Sequence, residues 1–193
     1  MESIALIIDQ IVNYMVSFGP LGGFVLIMFE SFLPPLPLGV VVGLNMLSFG
    51  NVFGFLLSYV AVLTGCMLSF YTFRYLFKDV YIEWFNDKNK ERLKKWMNKL
   101  SHIKFTTLAI IFALPITPAF LVNIAGGLSN ISGKKYFTAL VVGKPAMLLF
   151  YGYIAVSFVD SLKNPTSFIK IILLIVITYV ISRVIEKVVK VED

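Results

Sequence analysis

The chain has 193 residues, 58% hydrophobic and 15% charged, with a formal net charge of +6 and a mean hydropathy of +0.85. A soluble domain carries about 45–50% apolar and roughly 25% charged residues, so this composition describes an integral membrane protein with length for one compact domain. One cysteine and one histidine exclude a disulfide framework and a Cys-rich metal site.

Cys66 sits inside an apolar run and reads as a small buried hydrophobe. His102 has no carboxylate cluster beside it, which argues against zinc. No Ser-His-Asp set, Gly-rich phosphate loop or HExxH is present. The expectation is a protein that is not an enzyme and needs no metal or cofactor.

Along the chain, residues 3–17 are apolar with polar positions at near-helical spacing, which predicts a short amphipathic helix lying in the membrane interface. Gly19-Pro20 ends it. Residues 19–50 then hold two short apolar segments, Leu21–Leu33 and Leu36–Leu47, split by Pro34, Pro35 and Pro37. Each is too short to cross a bilayer, which takes about 20 residues. They read as a re-entrant hairpin. Residues 52–77 are long enough to cross.

Residues 78–104 form the strongly polar stretch, with Tyr81, Phe85, Trp96 and Leu100 recurring amid Lys and Glu. Two readings stay open for it: a basic amphipathic helix on the membrane surface, or a connector packed on the protein or a partner. Residues 105–130 repeat the interrupted pattern, with Phe105–Leu114 and Ala119–Leu128 split by Pro115-Ile116-Thr117-Pro118. Residues 133–159 cross, the Asp160–Pro165 stretch is a loop, and 166–189 cross again.

Proline removes a donor and leaves the carbonyl one turn back without its partner. Lipid cannot replace that partner, so broken helices survive at membrane depth only against protein or a wet cavity. Paired breaks in two halves of a chain point to a transport site.

The first basic residue is Arg74, so the amino terminus lacks the positive region that precedes a signal peptide core. Basic residues gather between Lys78 and Lys104, at Lys134-Lys135, and at Arg183, Lys187 and Lys190. This placement is a topology signal and does not suggest a nucleic-acid partner. The positive-inside tendency puts these clusters in the cytoplasm, with the C-terminus cytoplasmic and the N-terminus on the outer side of a multi-pass cell-membrane protein. The two hairpins then enter from opposite faces. The fold class expected is all-α, an inverted repeat of re-entrant hairpin plus transmembrane helix, with an additional C-terminal transmembrane helix.

Among the charged residues of the apolar runs, three are candidates for a role. Glu30 precedes the first break, and an intramembrane carboxylate is a functional hypothesis by default. It either exchanges a proton and balances charge, or caps free amides at the next helix start. Arg74 either pairs with Glu30 or a lipid phosphate, or snorkels to headgroups. Lys144, between Gly143 and the helix-distorting Pro145, either meets a headgroup or counter-ion or snorkels. Asn45 and Asn123 hold nearly equivalent places in the two hairpins, where their amides would stitch the hairpins together. Thr117 is placed to satisfy a freed carbonyl. Gly43, Gly126 and Gly127 would permit close helix contact.

Glu30 before its proline cluster, Phe70-x-x-x-Arg74, Pro115-x-x-Pro118 with Asn123 and Ala125-Gly126-Gly127, and Gly143-Lys144-Pro145 together resemble the DedA/VTT membrane family, also called SNARE-associated Golgi proteins. The resemblance covers roughly residues 19–157. It is closer to the branch with a Pro-x-x-Pro…Asn-x-Ala-Gly second hairpin than to DedA proper. The DedA branch proper usually carries two arginines where this chain has Phe112 and Pro118, and tends to have a second acid where it has Leu38-Gly39-Val40.

The resemblance implies a lipid transporter, since bacterial members are implicated in returning undecaprenyl phosphate or phospholipids and eukaryotic ones act as scramblases. The partner expected is therefore a membrane lipid, phospholipid or polyprenyl phosphate, moved between leaflets through a polar seam between the hairpins. An ion-coupled small-solute transporter and a non-transporting assembly protein are the alternatives.

Overall fold

The computed structural model describes residues 2–30, 38–77, 91, 97, 98, 100–115, 119–163, 169, 172, 173 and 175–179. Among the described residues the regular structure is entirely helical. Helix α1 runs Glu2–Glu30, and Gly19 breaks its regularity at φ 68, ψ 179. A left-handed φ is open to glycine at no steric cost. Pro20 follows as the first residue of the next turn, where a missing N–H matters least. The expected helix end at Gly19-Pro20 is therefore a kink, and the chain resumes as helix without an intervening loop.

Helix α2 spans Leu38–Phe49. Gly50, at φ 86, is the single residue joining it to α3, Asn51–Tyr75. Helix α4 is Phe105–Ala113, closed by Leu114 in extended backbone at φ −77, ψ 124. That is the conformation a following proline imposes on its predecessor. Helix α5 is Ala119–Leu128, and α6 is Gly133–Lys163 with Pro145 inside it. The loop expected from Asp160 does not begin there: no breaker precedes Asn164-Pro165 in the sequence, and the helix propagates through Lys163.

At 1.5 Å per residue, α2, α4 and α5 span roughly 18, 14 and 15 Å, about half of a ~30 Å hydrocarbon core. By contrast Leu6–Glu30, Asn51–Tyr75 and Gly133–Ser161 are each long and apolar enough to cross a membrane. In the expected C-terminal helix, 169, 172, 173 and 175–179 are helical, and its remaining residues lie outside the described ones. So does most of 78–104, although the helical Ser101 at its end accepts at Oγ from the Asn130 backbone N–H at 3.1 Å.

Helices α3 and α6 pack against each other at the centre. α1 lies on α2 and α3, α2 on α3 and α6, α4 on α6, and α5 on α3. Between them sits one apolar core that includes Ile27, Val42, Val62, Phe70, Phe112, Tyr136, Leu140 and Leu148. Outward faces carry bare apolar side chains such as Val52, Leu56, Leu121, Val142 and Leu149, the arrangement a hydrocarbon solvent favours.

Buried positions recur at one fixed separation. The step from Asn45 to Asn123 is also the step from Ser58 to Tyr136, Ala61 to Ala139, Val62 to Leu140, Cys66 to Lys144 and Phe70 to Leu148. All twelve side chains are at most 1% exposed.

Candidate functional site

Lys144 lies inside the bundle and is only 1% exposed. It reaches this depth because Gly143 packs directly on α4: a methyl there would lie 2.7 Å from the Phe112 Cβ and would strike the Ala109 carbonyl. Among the described residues the ammonium meets the Met147 thioether at 3.3 Å and the Phe112 ring, 5.8 Å from its centroid. A thioether is a weak acceptor and an ammonium has three protons to place. Burying a charge so poorly satisfied is costly.

The compensating group is Glu30. This carboxylate ends α1, beside the first break, and feels Lys144 electrostatically. The residue as a whole is half-buried, yet its Oε2 is fully buried without a hydrogen-bond partner among the described residues. Tyr151 also lies within electrostatic range of Glu30, and its hydroxyl donates to the Pro115 carbonyl at 2.6 Å. Pro115 stands beyond the last residue of α4, and Tyr151 satisfies its carbonyl from another helix. The fold thus gathers an acid from the first interrupted segment, a base from α6, and a backbone carbonyl from the second break.

Arg74 is used elsewhere. Its Nη2 donates to the carbonyls of Gly126, Ser129 and Ile131 at 3.2, 2.8 and 2.7 Å, and its Nε to that of Gly127 at 3.3 Å. A helix leaves its last carbonyls unpaired, and a cation favours that end. Phe70, one turn earlier, holds the guanidinium 4.3 Å over its ring. The Phe70-x-x-x-Arg74 spacing therefore builds a cap for α5, away from Glu30 and Lys144. Gly126 and Gly127 bring that helix end close: a methyl would stand 2.7 Å from the Tyr136 ring at one and 2.6 Å from the Phe70 carbonyl oxygen at the other.

Asn45 and Asn123 each bond to the long helix that follows them. Asn45 Nδ2 donates to Ser58 Oγ at 3.1 Å, and the Tyr136 hydroxyl donates to Asn123 Oδ1 at 2.6 Å, the partners standing 13 positions apart in both cases. These bonds tie each short helix to its own crossing helix. Gly43 meets α6, where an added methyl would strike the Ala155 side chain. Pro34, Pro35, Pro37, Thr117 and Pro118 lie outside the described residues. Inside α6, Pro145 withholds an N–H from the Val141 carbonyl, and the Tyr59 hydroxyl supplies it at 2.9 Å.

A pocket of about 270 Å³ opens at the second break, lined by Ile110, Ala113, Leu114, Pro115, Ala146, Phe150 and Thr178. It is apolar and adjoins Pro115 without including Glu30 or Lys144. Three residues at or beside the polar junction escape a reading of the sequence: Tyr151, Met147 and Tyr59. Only Tyr151 carried a signal, seven residues after Lys144 and hence on the same helix face. Among the described residues no group of His, Cys, Asp and Glu is arranged to hold a metal ion.

Comparison with known proteins agrees with these features. Residues 33–157 match the model of the VTT domain. The chain is 28% identical over 171 residues to the uncharacterized membrane protein YhjE of Bacillus subtilis (strain 168), covering 89% of this chain and 82% of that one. It is 26% identical over 129 residues to the uncharacterized protein YqeD of the same organism, covering 66% of this chain and 60% of that one. No solved structure matches. With its interrupted short helices, its three membrane-length helices and a VTT model matched over most of its length, the chain belongs to the VTT-domain (DedA) family of membrane proteins.

Proposed function

We propose that this protein moves lipid headgroups between leaflets through the polar junction formed by Glu30, Lys144, Tyr151 and the Pro115 carbonyl. The observation that carries this reading is the ammonium of Lys144, buried with a thioether and a ring for company, within electrostatic reach of Glu30, whose Oε2 has no hydrogen-bond partner among the described residues. Charges held so far from satisfaction at membrane depth are expensive and mark substrate or ion pathways. Fixed polar groups there replace headgroup hydration, so a phosphate crosses beside Lys144 while its acyl tails stay in hydrocarbon. Glu30 balances the charge or carries a proton. No bond in the substrate changes.

The architecture in this proposal is an inverted repeat. Residues 19–30 of α1 with α2, and α4 with α5, form two re-entrant hairpins about the breaks, entering from opposite faces with α3 and α6 as their crossing helices. The recurring burial and the paired Asn45–Ser58 and Asn123–Tyr136 bonds support equivalent units. Within them the charged positions differ: Cys66 stands where the second unit has Lys144. Basic residue placement puts the C-terminus in the cytoplasm of a cell-membrane protein and the N-terminus outside.

Reconstitution tests the reading. Vesicles containing the protein should exchange fluorescent phospholipid or polyprenyl phosphate between leaflets faster than protein-free vesicles. Uptake of a small solute without lipid exchange would assign the junction to solute transport instead.

A further inference from the structure

Tyr151 makes three connections from one side chain. Its hydroxyl donates to the Pro115 carbonyl at 2.6 Å, at the second break. Its ring lies against Gly39 in the first turn of α2, so closely that a methyl on Gly39 would stand 2.9 Å from Cδ1. Its hydroxyl end also faces the field of Glu30, at the close of α1. Lys144 lies seven residues earlier on the same face of α6, roughly 10 Å along the axis.

We propose that Tyr151 is the positioning residue of the junction, a strut on α6 that holds the first and second breaks at fixed separation and keeps the Glu30 carboxylate aimed at Lys144. The inference rests on the transport reading, and its logic is geometric. A break frees backbone groups that a continuous helix would have paired, so the helices on its two sides need some constraint on their mutual position. A side chain bonded to one break and packed on the glycine after the other supplies that constraint. A hydroxyl has one proton, and here it is committed to Pro115. Tyr151 therefore sets the geometry in which Glu30 and Lys144 act and does not itself bind the headgroup.

Two measurements on the full-length protein test this. In reconstituted vesicles, Tyr151→Phe should lower the maximal rate of labelled-phospholipid exchange per folded protein at least tenfold and leave the half-saturating mole fraction of lipid unchanged. Gly39→Ala, which displaces the ring and keeps the hydroxyl, should reproduce the loss. An unchanged rate, a rate that falls only with the folded fraction, or a raised half-saturation value would each overturn the proposal.

The second measurement does not depend on transport. In a Cys66→Ala background, a cysteine placed at Ala113 beside the Pro115 break should react with N-ethylmaleimide at least fivefold faster when Tyr151 is Phe. Equal reactivity rejects the strut whether or not the protein moves lipid. If wild-type protein moves no lipid while the reactivity still rises, the strut stands and the transport reading falls.

Discussion

The Tyr59 hydroxyl donates at 2.9 Å to the carbonyl of Val141, the acceptor one turn before Pro145 whose helical donor that proline lacks. A kink-prone residue in the middle of a membrane-length helix is thus repaired from α3. Replacing Tyr59 with Phe keeps the ring and removes the repair. It should lower unfolding free energy by about 1–3 kcal/mol, the cost of leaving a sheltered acceptor unpaired. Thermal unfolding in detergent or lipid nanodiscs reads the change.

Arg74 should prove to be a stability residue before a transport residue. Its four carbonyl partners all belong to the end of α5 and the turn after it. Arg74→Ala strips that cap and should cost about 2–3 kcal/mol, charge-assisted bonds being the stronger class. Arg74→Lys keeps the charge without the planar fork and should fall between. A transport loss at full stability would instead indicate contact with substrate.

The two asparagines should respond unequally to Leu. At Asn123 the substitution abandons the Tyr136 hydroxyl in a fully buried site. At Asn45 it removes a donor to the Ser58 Oγ, whose hydroxyl can still keep a bond by donating to the carbonyl one turn back along its own helix. Asn123→Leu is expected to be the more destabilising by about 1 kcal/mol or more. Equal losses would indicate that Ser58 cannot turn to its backbone.

Gly143→Ala brings a methyl within 2.7 Å of the Phe112 Cβ and against the Ala109 carbonyl. Helix α4 must move away, and overpacking of this kind costs typically about 1–3 kcal/mol. Because Lys144 is the next residue, lipid exchange should fall along with stability. The melting temperature and exchange rate of one preparation report both.

Much of this was legible in the sequence because proline and length act locally. The short helices after Pro37 and around Pro115 follow from those rules, and so does the extended Leu114. Gly19-Pro20 shows the limit of local reading: the same dipeptide can stop a helix or kink it, and the continuing apolar run decides for a kink. Arg74 was visible as a charge in an apolar run, but its partners lie more than fifty residues away. Tyr59 was opaque for the same reason, and Tyr151, though on the Lys144 face of its helix, gave no mark of the distant carbonyl it satisfies. Asn45 and Asn123 stood out by position. Their partners became identifiable only when the fold set Ser58 and Tyr136 beside them.

The central claim is that Glu30 and Lys144 form the place where a headgroup crosses. Leaflet exchange by wild-type protein, Lys144→Ala and Glu30→Gln, each reconstituted at equal folded amount, tests it most directly. The account predicts exchange well above protein-free vesicles for wild type and a loss of at least tenfold in each variant. Variants that exchange lipid as fast as wild type would contradict it.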